Sequence, residues 1–557
     1  MALDPPSRLA VAAAGCAAMA LTGTSALAQP AAPLAPDAGA LIIDQQRQDR
    51  RLPEPPAAAA RPALPPVAAT EAVPAPATPL RSIRLTGSDR LAAQAAEIGA
   101  RLAGRPLDGA TIKAAADAVS AAYAESGLAL YMVAAPRQDF AQGVLVLHVV
   151  EGYLAEVTVG GDPRIAASPL VAAQVAALKV ERPLTRATLE RRLSLLRDIP
   201  GVTVQAQLQN TAAPGAVRMT LNLELDRVQP EISFNNQGTP RLGRVSAQAA
   251  LTANSLMRPG DRARLTVAAP TEVERFQYVG LTYAAPVGTD GLTVQGSVTY
   301  LRTRPESPPI EGDATTVGVQ LSYPVIRGYA RNLSASAGLD GLNSDNAIYG
   351  QTFTSDHTRA LRAGLAYSAV APRRSLSAGV TGSLGLDVLG ARTDGRITDA
   401  GFRKLNLQVM AAQALGPAVA VRLRGLAQAS GKRLPAAEQL PLGGEAFGRA
   451  FYSGVITGDH GYAGSAELAW IPQHGPSALK GSEIFGFLDG GRAWTRARPP
   501  FVGRQALHLA SVGGGVRLNL GGRTLIALQG AKAIDARYPG GNGSRPWRVL
   551  VSWRTLR

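Results

Sequence analysis

The chain has 557 residues and a formal net charge of +16, and aromatic residues make up only 5% of it. This length exceeds what one compact core holds, so several domains are expected. The arginines are scattered singly and lack interleaved aromatic residues, which argues against a nucleic-acid partner despite the basic charge.

The first 28 residues have the features of a signal peptide for export. Arg8 precedes an apolar run that ends at Leu21, and the small residues of Ala-Leu-Ala at 26–28 suit signal-peptidase cleavage. A lipidation site at Cys16, the single cysteine, is the alternative. Past this segment no run of about 18 apolar residues occurs, which excludes a helical membrane protein. An exported chain can still enter a membrane as a closed β-barrel.

Two features follow in the N-terminal segment 29–52 and beyond it. Residues 37–51 predict a short helix with acidic residues early and basic residues late, and a solvated tail is the alternative. Residues 53–80 contain nine Pro and ten Ala, so they predict an extended linker. At about 3.1 Å per residue this linker could reach roughly 85 Å, far enough for the helix to travel from the periplasm into a pore.

An internal repeat organises the next 150 residues or so. The motif that begins Arg-Pro-Leu at 105–107 returns at 182–184, and each copy lies in the order strand, helix, helix, strand, strand. Two α+β modules are therefore expected at 81–152 and 153–226. The predicted elements of the first are Ile83–Leu85, Leu91–Leu102, Asp108–Glu125, Leu128–Val133 and Val144–Val150, and those of the second are Leu154–Val159, Pro169–Leu178, Thr185–Arg197, Val202–Leu208 and Val217–Leu225.

From residue 227 to 557 the pattern changes to short segments of strict alternation separated by Gly, Pro, Asn and Asp. In Val317–Tyr323 the large apolar side chains take one face, while small and polar residues take the other. Those small and polar residues would fill the core of a soluble β-sandwich poorly, whereas a water-filled lumen requires them. At about 20 residues per strand and connection, this region predicts a transmembrane antiparallel β-barrel of about 16 strands. The segment Trp547–Trp553 would close it.

No pattern for catalysis, a metal or a cofactor occurs in the sequence. The five histidines are far apart and form no H-E-x-x-H pair, and neither a G-x-S-x-G elbow nor a phosphate-binding P-loop is present. We therefore expect a protein that is not an enzyme and needs neither cofactor nor metal. If the chain is a transporter, it would work without ATP, through diffusion and through folding of its cargo outside the cell.

Several motifs carry a resemblance to a known family. They are the helix and Pro-Gly turn of Leu193–Val202, Tyr153 at the junction of the modules, the loop Glu438–Phe451 with Gly458–Gly461, and the F-x-D-x-G strand motif Phe487–Gly491. Together they resemble the two-partner secretion (TpsB) transporters, the ShlB/FhaC/HecB haemolysin activation/secretion family within the superfamily of BamA-type barrel-assembly proteins. The resemblance covers nearly the whole mature chain and implies that the two modules are POTRA domains.

The resemblance also implies a lock between a loop inside the barrel and the barrel wall. Arg449 at the loop tip would pair with Asp489, supported by four further residues: Gly448, Phe451, Phe487 and Gly491. A guanidinium and a carboxylate in a confined lumen can form a bidentate pair that pins a long loop. A solvated Arg449 is the alternative from the residues alone. The family usually carries Gly after this arginine, and here Ala450 replaces it.

The resemblance implies an outer-membrane transporter of a Gram-negative bacterium. Its partners would be a secreted TpsA-type exoprotein, outer-membrane lipid and, during biogenesis, the barrel-assembly machinery. The POTRA domains would lie in the periplasm and capture the unfolded exoprotein at strand edges within 81–226, while the helix at 37–51 would plug the resting lumen. The alternatives are a BamA-type assembly factor, a general porin, which leaves the modules unexplained, and a surface enzyme.

Overall fold

The computed structural model of the chain describes residues 37–49, 78–306, 309–498, 503–538, 541 and 545–556. The predicted signal peptide and most of the predicted linker lie outside the described residues. In the part of the chain that is described, no helix has the length and apolar character needed to cross a membrane.

The structure contains α-helices, two short 3-10 helices and many β-strands. The α-helices are α1 Ala38–Asp49, α2 Ala92–Leu102, α3 Gly109–Glu125, α4 Pro163–Ala166, α5 Pro169–Val180 and α6 Arg186–Arg197, and the 3-10 helices are Ala436–Glu438 and Ser477–Leu479. The strands are β1 Ser82–Thr86, β2 Tyr131–Ala134, β3 Val144–Glu151, β4 Tyr153–Gly161, β5 Val202–Asn210, β6 Ala216–Leu225, β7 Val228–Asn235, β8 Ser246–Asn254, β9 Arg262–Pro270, β10 Phe276–Val287, β11 Leu292–Thr303, β12 Ile310–Arg327, β13 Arg331–Ile348, β14 Gln351–Ala371, β15 Arg374–Gly385, β16 Arg403–Ala414, β17 Val419–Ser430, β18 Leu440–Leu442, β19 Ile456–Gly458, β20 His460–Trp470, β21 Glu483–Thr495, β22 Gln505–Leu520, β23 Thr524–Arg537 and β24 Trp547–Leu556.

The first module packs α2 and α3 against a sheet in the order β1-β3-β2, in which β1 is parallel to β3. The Asp108 side chain caps α3 by accepting a hydrogen bond from the Thr111 backbone N–H at 2.7 Å, and this bond lowers the pKa of Asp108. The strand predicted from Leu128 begins three residues later, at Tyr131. Leu128 instead forms a bridge with Thr185 of the second module, so its backbone joins the two modules.

The second module repeats the arrangement with a sheet in the order β4-β6-β5 and the helices α5 and α6. The sequence analysis missed the short helix α4, which the Asp162 side chain caps and Pro163 begins. The helices close over a core that includes Leu193, Leu196 and Met219, each 0% exposed. The period of the leucines in α6 explains this burial, because they return to one face of the helix.

The second module docks on the barrel through α6. The guanidinium of Arg327, at the end of β12, donates to both carboxylate oxygens of Asp198 at 2.6 and 2.7 Å. Arg191 and Arg192 pair with Asp290, in the turn between β10 and β11, at 3.0 and 3.1 Å. Burial alone would raise the pKa of Asp290, but a hydrogen bond from Tyr323 and the two arginines hold it below its usual value. These turns therefore mark the module end of the barrel.

Sixteen of the described strands, β7–β17 and β20–β24, form one closed antiparallel barrel. The predicted strand number and the predicted closed barrel are confirmed, and a two-sheet sandwich is excluded. Val317, Val319 and Leu321 face outward and are 54%, 53% and 45% exposed, whereas Thr316 beside them is 5% exposed. The outer face is therefore apolar and the inner face polar, as a lipid-embedded wall requires. Pairing of β24 with β7 closes the ring.

The helix α1 lies inside the barrel, within the segment 37–51 for which a helix was predicted. Its first backbone N–H groups, of Ala38 and Gly39, donate to Asn346 at 3.0 Å and to Ser344 at 2.9 Å on the inner face of β13. Near its other end, the Gln46 side chain donates to Thr299 of β11 at 2.8 Å. One apolar face, which includes Ile42 at 0% exposed, packs against wall residues. The helix therefore occupies lumen space through both polar and apolar contacts.

Candidate functional site

A long segment between β17 and β20, residues 431–459, folds back into the barrel and is called the lumen loop below. Its strands β18 and β19 form a hairpin that rests on β20 and β21. Leu442 and Ile456 of the hairpin are 0% and 1% exposed within a cluster that includes Phe485 and Phe487 of the wall. This burial keeps the loop within the lumen.

The tip of the lumen loop carries Arg449, which is buried with 3% of its side chain exposed. Its Nε lies 3.3 Å from Asp489 Oδ2, and its Nη1 lies 3.4 Å from Glu467 Oε2. The guanidinium also lies 3.9 Å from the centre of the Phe487 ring, in a cation–π contact. The structure thus brings Arg449 and Asp489 together, as the resemblance implied.

The contact with Asp489 differs from the bidentate pair predicted from the sequence. Asp489 Oδ1 accepts hydrogen bonds from the backbone N–H groups of Gly448 at 2.9 Å and Arg449 at 3.4 Å, and from the Ser511 hydroxyl. Oδ2 lies 3.3 Å from Arg449 Nε as an ion pair without a hydrogen bond, and that Nε donates instead to the Glu445 carbonyl at 3.2 Å. Asp489 therefore binds the backbone of the loop tip and also lies beside the Arg449 guanidinium.

Sequence reasoning missed the second carboxylate that Arg449 meets. Glu467 on β20 is 5% exposed and accepts hydrogen bonds from both Nη groups of Arg517 at 2.6 and 2.7 Å. Arg422 bridges Glu467 at 2.9 Å and Glu483 at 2.6 Å. The alternation along β20 could have assigned Glu467 to the inner face, but its partners lie on strands far apart in the sequence.

The result is a network of alternating charges, which we call the lock network. Its carboxylates and Arg449 are buried, whereas Arg422 and Arg517 are partly exposed, at 28% and 21% of their side chains. Its described members are three cations and three carboxylates: Arg422, Arg449, Arg517, Glu467, Glu483 and Asp489. Each of these groups has a group of opposite charge beside it, which offsets the cost of removing it from water. The arrangement can hold a loop in a wet lumen without a covalent bond.

Phe487 and Gly491 place the strand that carries Asp489. Phe487 is 4% exposed and points inward, and a Cβ on the facing Gly513 would lie 2.6 Å from its ring. At Gly491, a Cβ would lie 2.9 Å from that of Ala463 on the neighbouring strand. The small residues therefore let the F-x-D-x-G strand sit close to its neighbours with Phe487 and Asp489 on the same inner face.

Gly448 supplies the turn at the loop tip. Its φ is +89°, a conformation that favours glycine, and a Cβ there would lie 2.3 Å from Leu509. Ala450 has no such φ and is 1% exposed in the loop core. Alanine is therefore tolerated where the family usually has glycine, because the residue with positive φ is Gly448, before Arg449, and not residue 450. Phe451 completes the tip with an edge-on contact to Tyr538, with ring centres 5.7 Å apart.

Three further ion pairs hold the ends of the lumen loop. Glu438, near its start, meets Arg362 at 2.7 Å and Lys404 at 2.5 Å. At its other end, Asp459 is 0% exposed and accepts both Nη groups of Arg498 at 2.7 and 3.2 Å. The loop is thus tied to the wall at its start, tip and end.

The lumen loop also contacts the helix α1. The Ser453 hydroxyl donates to Asp44 of α1 at 2.9 Å, and Ala437 packs in the apolar cluster that includes Ala38 and Ile42. Both lumen segments therefore share one interface. Among the described residues, no group of three or more potential ligands is arranged to hold a metal ion.

Two regions of the chain match models of known protein families. The family model described as haemolysin secretion/activation protein ShlB/FhaC/HecB matches residues 219–518, and the model described as POTRA domain, ShlB-type, matches residues 78–152. A search of the curated proteins found no match.

Solved structures are similar over most of the chain. CdiB from Escherichia coli has 19% identity and a TM-score of 0.69, covering 95% of this chain and 100% of that chain. CdiB from Acinetobacter baumannii has 16% identity and a TM-score of 0.60, covering 93% and 97%. BamA from Haemophilus ducreyi lacking POTRA domains 1–3 has 14% identity and a TM-score of 0.53, covering 86% and 100%. At these identities the likeness shows the fold.

Replacing Arg449 with Met should release the lumen loop. The change leaves Asp489 and Glu467 buried with one cation fewer, and breaking a buried pair in this way costs about 3–5 kcal/mol. Amide hydrogen exchange in residues 440–458 should rise at least about tenfold. The matched control is Arg396→Met, which removes an exposed arginine from another loop. Unchanged exchange in the Arg449 variant would show that the network does not hold the loop.

Proposed function

The chain belongs to the haemolysin secretion/activation family ShlB/FhaC/HecB, and from that premise we propose that it is a two-partner secretion transporter that exports one partner exoprotein. The barrel would span the outer membrane, with both POTRA modules in the periplasm. The barrel-assembly machinery would insert it. Export would run without ATP, driven by diffusion and by folding of the cargo outside.

One observation carries this proposal: two separable segments occupy a polar lumen. The lumen loop and α1 are held by ion pairs, hydrogen bonds and packing, and α1 is attached through the predicted linker at 53–80. Both can therefore leave the channel without unfolding the wall. A general diffusion porin has no need of a plug tied to a loop, so this arrangement favours a channel that opens for a macromolecule.

The second POTRA module offers an edge for the unfolded partner. β5 pairs with β6 on one side, and its other edge has no strand partner among the described residues. Its Val204 and Ala206 pack on the core, whereas Gln205 and Gln207 are exposed. An extended segment of the partner can add there through backbone hydrogen bonds, with little demand on its sequence.

Secretion tests the function directly. A strain that expresses this chain with its candidate TpsA-type exoprotein should release that exoprotein into the medium. Arg449→Ala should lower release at least about tenfold, a change equivalent to about 1.4 kcal/mol, while the barrel still migrates as a folded, heat-modifiable species. Arg396→Ala is the matched control and should secrete normally. Release that does not depend on this chain would contradict the transporter role.

Removal of residues 37–51 should raise single-channel conductance in planar bilayers, because α1 fills part of the lumen. A point variant provides a sharper test: a Cβ at Gly39 would lie 2.9 Å from that of Ser344, so Gly39→Val should loosen α1 and raise the open fraction. The neighbouring change Ala40→Val is the control for altered helix propensity. Conductance equal to that of the wild type after the deletion would count against a plug.

Cross-linking tests the strand edge. A photoreactive residue at Gln207 should capture the partner at least about five times more strongly than one at Thr220, which lies opposite it on β6 and one strand spacing, about 4.8 Å, farther from the edge. Both side chains are exposed, so accessibility is matched. Equal capture at both positions, or capture only at Thr158 on β4, would contradict docking at β5.

A further inference from the structure

A groove with a volume of about 860 Å³ crosses the outside of the barrel wall from β14 to β21. Its floor follows a row of paired residues on adjacent strands, Ala363, Gly382, Leu405 and Ala429. Three of these are small, whereas Leu361 beside the row is 48% exposed. Small residues between taller apolar ones make a depression in a wall that otherwise faces lipid.

Aromatic rings form one wall of the groove. The rings of His460 and Trp494 stack in parallel with centres 5.4 Å apart, and the Tyr462 ring lies 5.8 Å from Trp494. All three residues line the groove. Their position is at the end of the barrel away from the POTRA modules, where β20 begins and β21 ends. Tyr and Trp favour the level at which lipid headgroups meet the acyl chains.

Two exposed arginines lie at this groove, one among the residues that line it and one beside its aromatic wall. Arg403 lines it at the first residue of β16, and Arg492 on β21 lies 5.1 Å from the centre of the Trp494 ring. Within the described ranges, neither arginine forms an ion pair with a carboxylate. The strand registers place Arg492 level with Leu407 on β16, which is four residues from Arg403. Together with the three strand spacings between β16 and β21, this puts the two Cα atoms roughly 20 Å apart.

We propose that this groove is a binding site for a phosphorylated glycolipid of the outer leaflet. An acyl chain would lie along the floor of small residues, and phosphates would pair with Arg403 and Arg492. An arginine binds phosphate through two parallel hydrogen bonds. Because both arginine side chains are long, a headgroup with a phosphate at each end of two linked sugars can reach both guanidinium groups. The inference depends on the proposed outer-membrane location and is independent of which protein is exported.

Native mass spectrometry of the full-length protein in detergent tests the site. The probe is a diphosphorylated lipid A, compared with the same lipid lacking both phosphates. The wild-type protein should retain the phosphorylated form at least about five times better, and Arg403→Ala with Arg492→Ala should remove this preference. The matched control is Arg331→Ala with Arg374→Ala, a pair of exposed arginines at the module end of the barrel. It should bind as the wild type does.

A second variant tests the groove without changing its charge. Ala429→Phe fills the floor and should lower retention of the phosphorylated lipid to a similar degree while both arginines remain. Equal retention of the two lipids by the wild type, or wild-type retention by both the arginine and the floor variants, would overturn the site. Export by a protein that retains no lipid overturns this inference alone, whereas retention without export contradicts the transporter role alone.

Discussion

The buried charge of Arg449 is the constraint on which the rest of the lumen depends. A guanidinium withdrawn from water is stable only beside opposite charge and hydrogen-bond acceptors. Asp489 and Glu467 supply these from β21 and β20, and Phe487 covers the cation with its ring. Because Asp489 also accepts the Gly448 N–H, satisfying the charge fixes the loop backbone as well.

This kind of attachment gives specificity while remaining reversible. Buried ion pairs add little net stability compared with apolar packing, but they are costly to break one partner at a time. Removing a single partner of Arg449 would therefore leave an uncompensated charge beside the loop tip. The contact of the lumen loop with α1 through Ser453 and Asp44 means that displacement of α1 would change the surroundings of the loop.

The sequence predicts the local structure well, because local rules determine it. Leucine spacing predicted α6, the alternation in β12 predicted a two-faced wall, and the length of the region predicted 16 strands. Most of the lock network could not be predicted from local sequence rules. Arg449 and Asp489 were predicted only from the family resemblance. Glu467, Arg422 and Arg517 lie on strands far apart in the sequence and meet only after the barrel closes. The bidentate geometry was wrong, since backbone N–H groups of the loop tip occupy one oxygen of Asp489.

A double-mutant cycle on the purified barrel tests the network most directly. The free energy of unfolding would be measured for the wild type, Arg449→Met, Asp489→Asn and the double variant. If the two side chains depend on each other, the double variant should be less destabilised than the sum of the single variants by about 1.5–3 kcal/mol. Effects that add to within about 0.5 kcal/mol would contradict the account.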